Sequence, residues 1–476
     1  MTTDSRTKSI DMLQGPLTGR LILFALPIAF SSMLQQLFNA ADTAVVGRFA
    51  DADALAAVGT NGEIVALLVT LSAGLAVGAN VLIAQYIGER KQMQISRTLH
   101  TSLVCALLFG LLGAVLGQWI SAPLLRMIRT PEAVLTDAVL YLRIYFCGLS
   151  FLMLYDFGAA IFRSKGNSRL PFLILTLSGI VNVALNLLFV LVCGLGVAGV
   201  AVATDLAAAL SAALVLFCLH REKDEFHLSF RSLRIHREYL LPLLSIGVPA
   251  AVQGAVFCLA NIFVQASVNS FGAIATAGST IAMNFEYFGY YMITAFGQAA
   301  TTFTGQNYAA KETDRCMKIL IRSLLLSFLF SSAIMVPLTV GRSFFSGLFS
   351  RDSEVIYVAC VRILLILSFE PFCSLYEIPA GSLRGTGHST LPAVLTILGT
   401  CVLRIVWIFT VFAHFSTLES LFIVFPISWL MTILLTVLGF LVIRPFRHVQ
   451  VLTLHGSQNT VSKTSLQNQE QDSSRQ

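Results

Sequence analysis

The chain has 476 residues, of which 56% are hydrophobic and only 12% charged, and its mean hydropathy is +0.79. A soluble domain carries about twice that charged fraction, so a water-soluble globule is excluded. The net charge of +6 does not indicate nucleic acid, because the basic residues sit in short breaks between apolar runs, where they report orientation in a membrane.

Residues Met1 to Gln14 are polar. The apolar segment after them is too long for a signal peptide, so it is expected to remain as a helix. Twelve apolar stretches of spanning length follow, at residues 20–46, 54–82, 98–121, 134–157, 170–193, 197–219, 240–270, 274–304, 318–341, 355–379, 391–414 and 418–443. The first would be ~40 Å long at 1.5 Å per residue, so it must tilt, bend or protrude. Pro27 can supply a bend. The even-numbered loops and the two termini hold twenty-three Lys and Arg, among them Arg163, Arg231, Arg234 and Arg384, against five in the odd-numbered loops. This bias predicts a multi-pass protein of the inner (plasma) membrane with both termini cytoplasmic. The nine cysteines are scattered singly without a CxxC pair or a histidine cluster, and read as small buried hydrophobes.

The two halves repeat. Arg163-Ser164-Lys165-Gly166-Asn167-Ser168-Arg169-Leu170-Pro171 matches Arg384-Gly385-Thr386-Gly387-His388-Ser389-Thr390-Leu391-Pro392 at a shift of 221. Tyr155-Asp156 with Tyr376-Glu377, and Gln85 with Gln306, keep that shift; Pro27 with Pro249 and Asn39 with Asn261 have 222. Six spans per half means both halves enter the membrane from the same side, so the repeats are parallel and imply a cavity between two rocking lobes. The expected fold is all-α and integral to the membrane, with twelve helices in two pseudo-symmetric lobes. Its predicted parts are a cytoplasmic N-terminal segment 1–17, an N-lobe 18–219, a cytoplasmic linker 220–239, a C-lobe 240–446 and a disordered tail 447–476 rich in Ser, Gln, Asn and Thr.

Gln35-Gln36-Leu37-Phe38-Asn39-Ala40-Ala41-Asp42-Thr43-Ala44-Val45-Val46-Gly47-Arg48 resembles the multidrug and toxic compound extrusion (MATE) family, as do Ala54-Leu55-Ala56-Ala57-Val58-Gly59, Gly196 to Thr204, Thr304-Gly305-Gln306-Asn307-Tyr308 and Gly381-Ser382-Leu383-Arg384-Gly385-Thr386-Gly387. The resemblance covers nearly the whole chain apart from the tails. It implies cation-coupled export of amphiphilic, often cationic compounds by alternating access. No enzyme activity, cofactor or nucleic-acid partner is expected beyond a coupling ion, H+ or Na+; the partners are small-molecule substrates and the bilayer, and a monomer is expected. The rival reading is a flippase of lipid-linked precursors. That function calls for several cavity cations to hold pyrophosphate, whereas the embedded balance reads as acidic with one central arginine.

Ionisable residues at membrane depth are functional candidates. Asp42 lies one turn after Asn39 in the first span and could take a proton or bind Na+, a hard cation that prefers oxygen ligands. Asn182 and Asn186, at i and i+4, share a face of the fifth span, and Thr204 lies in the sixth. The resemblance places these three with Asp42 in an N-lobe cation site, although Asn186 stands where some members have a carboxylate. Interhelical hydrogen bonding is the alternative role for the two amides. Gln36 and Asn39 are candidate substrate contacts. Asp205 points about 100° away from Thr204, as a second titratable group or as a partner for a neighbouring helix. Glu286, near Tyr287, Tyr290 and Tyr291, suits an organic cation or a hydrogen-bond network inside the C-lobe. Glu370 and Glu377 are expected on one face of the tenth span, one of them paired with Arg404. Glu63, Arg143 and Arg362 lie nearer predicted helix ends and could reach interfaces by snorkelling. Sodium-coupled relatives carry acids in the seventh and tenth helices where this chain has Phe257-Cys258 and Cys373, which argues against a C-lobe sodium site.

Overall fold

The computed structural model describes residues 9–49, 52–128 and 130–446, so the predicted tail 447–476 lies outside the described residues. No strand occurs among them. The long helices are α1 (Leu17–Phe49), α2 (Ala52–Gly88), α3 (Gln92–Met127), α4 (Glu132–Ser164), α5 (Arg169–Val192), α6 (Gly196–Arg221), α7 (Arg237–Asn269), α8 (Ala273–Ala309), α9 (Thr313–Val340), α10 (Ser353–Gly385), α11 (Thr390–Phe415) and α12 (Leu418–Ile443). Among the described residues, eleven are long and apolar enough to cross a membrane. The exception, α8, has the length, 37 residues, but carries Asn284, Glu286, Gln298, Gln306 and Asn307 along it. It packs against helices of both lobes, so Glu286, Gln298, Gln306 and Asn307 face protein and do not need lipid solubility, whereas Asn284 is exposed and donates to Thr280 O of its own helix.

The tenth span departs from expectation. It is helical over Ser353–Leu367, tightens into a 3-10 turn at Glu370–Cys373 and resumes at Ser374–Gly385. Pro371 has no N–H to donate and crowds the preceding residue, which breaks the ladder. The break also removes the regular i, i+7 relation that would have put Glu370 and Glu377 on one face.

The duplication is visible in the backbone. Arg90 and Lys311, 221 residues apart, both adopt a left-handed conformation, with φ of 58° and 65°. Gly166 and Gly387 do so at 95° and 92°. The turns close with matching bonds, Lys91 N–H to Tyr86 O and Glu312 N–H to Asn307 O, each 2.9 Å. Gly194 and Gly196 have φ of 63° and 51° and meet nothing within 4 Å, so they do not serve close helix packing. They instead form the α5–α6 turn, which glycine adopts without a Cβ penalty.

One apolar core fills the N-lobe around Leu142, Phe157 and Phe162, and another fills the C-lobe around Ile363, Leu367 and Phe422. A third core joins the lobes, with Leu21, Phe24 and Ile28 of α1 against Phe296 and Phe303 of α8 and Ile319 of α9. Direct backbone contact between α2 and the opposite lobe needs glycine. A Cβ on Gly78 would lie 2.2 Å from Leu243 O, and one on Gly74 2.4 Å from Ala251 Cα. These contacts lie toward the end that carries residues 9–17 and the inter-lobe linker, hereafter the linker end. Among the described residues, the hydrogen bonds between the lobes lie at the mid-depth of Gln36–Tyr291 and Thr70–Cys258 or nearer the linker end. The lobes therefore part toward the far end.

Candidate functional site

In the N-lobe, α1 brings Asp42 to α5 and α6. Its carboxylate is buried, 7% exposed, and its Oδ1 accepts a hydrogen bond from Asn186 Nδ2. Asn186 Nδ2 also lies 3.4 Å from Asn182 Oδ1, and Asn182 Nδ2 lies 3.4 Å from Thr204 Oγ1. Thr204 donates to Val200 O at 3.0 Å. The four residues named from the sequence therefore form one cluster. Asn186 is fully buried, and its Oδ1 has no hydrogen-bond partner. An orphaned carbonyl oxygen beside a carboxylate is costly unless something else engages it. In this arrangement Asn186 Nδ2 faces the Asp42 and Asn182 oxygens and Asn182 Nδ2 faces Thr204; turning the Asn186 amide about its Cβ–Cγ bond would bring its Oδ1 to the Asp42 carboxylate and complete an oxygen donor set suited to a hard monovalent cation or a shared proton.

Asp205 turns away from this cluster, as its helical phase implies. Its carboxylate lies against Gly148 of α4, where a Cβ would fall 2.0 Å from Oδ1. Asn39 is exposed on α1. Gln36 is half-buried and accepts a hydrogen bond from the Tyr291 hydroxyl across the lobe boundary at 3.2 Å.

Three C-lobe expectations are corrected. Glu286 is not a free carboxylate facing an organic cation. It forms a bidentate pair with Arg362 at 2.6 and 2.9 Å, so the lobe-internal alternative holds. Arg362 does not snorkel: it is 3% exposed, donates also to Ser279 at 2.5 Å, and lies 5.3 Å from the Phe422 ring centroid. Neither Glu370 nor Glu377 pairs with Arg404. That guanidinium, 1% exposed, donates to Asn261 Oδ1 at 2.9 Å and Ser428 Oγ at 3.2 Å, and lies 4.2 Å from the Phe425 ring centroid. Hydrogen bonds and ring faces replace the missing counter-charge. Glu370 is buried, and its Oε2 has no partner. Tyr287 stacks on Tyr291, centroids 5.8 Å apart, and Tyr290 on Phe257 at 6.2 Å, giving the C-lobe an aromatic shelf.

A second polar site lies between the lobes, in a cavity of about 220 Å³ toward the linker end. Asp156 and Arg163 of α4 line it opposite Glu377 and Arg384 of α10. Arg384 pairs with Glu377 at 3.0 Å and donates to Gln253 at 3.3 Å. Asp156 accepts from Ser72 at 2.6 Å, and Arg163 donates to Gln298 across the boundary at 2.6 Å. Thr302 donates to Asn80 at 2.9 Å, and Gln85 and Gln306 each donate to a backbone carbonyl of the opposite lobe, at 2.9 and 2.7 Å. Arg163 and Arg384, counted among the loop charges from the sequence, both line this cavity instead. The missed signal was the repetition of an acid and an arginine seven apart at the same 221 shift, which places both on one helix face. The embedded charges are consequently more balanced than the composition of the spans suggested.

The MatE family model matches residues 27–188 and again 249–410, more than half of the chain and once in each lobe. The chain is 27% identical to the "Probable multidrug resistance protein YoeA" of Bacillus subtilis, over 87% of this chain and 91% of the relative. It is 24% identical to the "FAD transporter" of Shewanella oneidensis, over 75% and 79%. The fold matches a solved structure described as the outward-facing conformation of a multidrug resistance MATE family transporter, with TM-score 0.84, 21% identity, and coverage of 94% of this chain and 99% of that one. With two lobes each matching the same family and the fold shared over nearly its whole length, the chain belongs to the MatE family of multi-pass membrane transporters.

Proposed function

We infer that the protein is a secondary active exporter of amphiphilic, often cationic organic compounds, driven by antiport of H+ or Na+. The observation that carries this reading is the Asp42–Asn186–Asn182–Thr204 cluster, which gathers one carboxylate and an unpartnered amide oxygen on three helices of one lobe. With both termini cytoplasmic, as the loop charges suggest, the closed linker end faces the cytoplasm and the parted lobes face outward. A cation entering from outside binds at Asp42, engages the Asn186 carbonyl and draws α1 onto α5 and α6. That movement alters the half of α1 which carries Gln36 and packs against α8. Substrate leaves outward, and the lobes then rock to open the linker end. In this reading the protein works as a monomer and needs no cofactor besides its coupling ion.

The relatives' names, a probable multidrug resistance protein and an FAD transporter, support transport of drug-like molecules and, in one case, of a large anion. Arg163 and Arg384 in the inter-lobe cavity give the second possibility a specific footing, and it bears also on lipid-linked precursors. In the closed arrangement, however, each arginine is engaged by a protein acceptor and two carboxylates balance them, so the cationic class is favoured. Proteoliposomes loaded with ethidium and given a proton or a sodium gradient separately test this reading. Efflux accelerated by one gradient is expected. Efflux unaffected by either, or export of a lipid-linked oligosaccharide in place of ethidium, overturns it.

A further inference from the structure

A concentration of positive charge without ion pairs lies outside the transport path, where the inter-lobe linker crosses the first turns of α3. A cavity of about 400 Å³ there is lined by Ser96, Arg97 and His100 of α3 and by Arg231, Arg234 and His236 of the linker. No carboxylate lines it, and among the described residues none of the three arginines has an ion pair. His100 is fixed in the cavity wall. Its Nδ1 lies 2.7 Å from Ser96 O, and its Nε2 accepts from the Ser229 N–H at 3.1 Å. The His236 N–H donates to Thr101 Oγ1 at 3.2 Å, so the linker is bonded to α3 on both sides of the arginines. Loss of solvent, then Arg234 and Arg97, push the His236 imidazole below its ordinary range. The first-turn N–H groups of α3 receive no side-chain cap and add the positive end of a long helix dipole.

The cavity's depth relative to the bilayer identifies its ligand. Large exposed apolar residues run along α3 from Leu107 to Met127, a rise of ~30 Å, which equals the hydrocarbon thickness. The turns carrying Ser96, Arg97 and His100 lie just beyond that band, level with lipid headgroups. The linker alternates arginines with exposed Phe230, Leu233 and Ile235, apolar side chains that fit the headgroup–acyl boundary. Orientation bias requires only that basic residues be on this side of the membrane; it does not require three of them to converge on one cavity with two imidazoles.

We propose that this cavity is a binding site for the phosphate group of an anionic phospholipid, held by Arg97, Arg231 and Arg234 while its acyl chains lie along α3 and the linker's apolar residues. A basic cluster next to a spanning helix has the required chemistry. The bound lipid would fasten the linker to the N-lobe during lobe movement.

The test is calorimetric titration of the full chain in neutral detergent with three probes: dihexanoyl-phosphatidylglycerol, dihexanoyl-phosphatidylcholine and sodium phosphate. Phosphatidylglycerol is expected to bind at least tenfold more tightly than either other probe. The surface variant Arg231→Gln/Arg234→Gln should weaken it about tenfold, while Arg126→Gln, which removes an exposed charge at the far end, leaves it unchanged. Equal binding of the two lipids, an unaffected double variant, or inorganic phosphate binding as tightly as the lipid each overturns the proposal.

Discussion

The two lobes have one architecture and opposite chemistry at equivalent depths. The family match runs from 27 to 188 and from 249 to 410, a register of 222. In that register Asp42 corresponds to Val264, Asn186 to Ile408 and Asn182 to Arg404. An acidic, oxygen-rich cluster in the N-lobe thus faces an apolar counterpart in the C-lobe, where a guanidinium held by Asn261 stands in place of an amide. The pairs Pro27–Pro249 and Asn39–Asn261 already stand at 222 and those from Gln85 to Pro171 at 221; the return to 222 within α11 has a local cause. α11 contains a π-helical stretch, Ile397–Val402, ahead of Arg404, in addition to Ile408–Phe412, which answers Leu188–Val192 of α5. A π-bulge accommodates one extra residue without ending the helix, and it re-phases everything after it. By contrast, the acid–arginine face of the inter-lobe cavity, Asp156 with Arg163 and Glu377 with Arg384, is kept in both halves. Duplication has preserved the parts where the lobes meet and has let the parts buried within each lobe diverge.

Perturbations of this contrast should differ in size. The largest effect is expected from Asp42→Asn, which keeps shape and hydrogen bonding but removes the charge. Ion-driven efflux in proteoliposomes should fall at least a hundredfold, with unchanged yield and melting temperature. Next is stability. Arg362→Met leaves Glu286 as an unpaired buried charge and should destabilise the C-lobe by ~3–5 kcal/mol, whereas adding Glu286→Gln should restore most of that loss. Thermal unfolding in detergent would check both, and a double variant no better than the single would show that the pair is not the cause. Gly78→Ala is intermediate. Its Cβ meets Leu243 O, so the closed linker end must loosen, and spin-label distances between α2 and α7 at that end should broaden by several ångströms. Asn186→Ala is expected to weaken ion dependence about tenfold by removing the unpartnered oxygen. Arg404→Met should have the smallest effect on coupling, with ion dependence within twofold of the wild type.

Much of this was legible in one sequence because it depends on local pattern. Spanning length, the 221 shift and the two-lobe fold follow from apolar runs and repeated turn residues. The Asp42 group was legible because Asp42 is the one acidic residue of α1, and because the family resemblance tied it to Asn182, Asn186 and Thr204. Partner choice in the C-lobe was not legible. Glu286 lies 76 residues from Arg362, and nothing in the helical period shows which of several candidate arginines faces it. The expected Arg404 pair failed for the same reason, and because Pro371 broke the helix whose regularity the expectation assumed. Arg163 and Arg384 were obscured by standing in the last turn of their helices, where composition alone cannot separate a loop charge from one turned inward.

The central claim is that ion coupling belongs to the N-lobe cluster, with the shared inter-lobe cavity serving movement. Its most direct test is ion flux accompanying substrate export in proteoliposomes, with protons followed by an internal pH dye and sodium by radiotracer, for the wild type, Asp42→Asn and Glu377→Gln. The account predicts that Glu377→Gln transports more slowly but moves the same number of ions per substrate, and that Asp42→Asn moves none. Wild-type stoichiometry in Asp42→Asn, or loss of stoichiometry in Glu377→Gln alone, would contradict it.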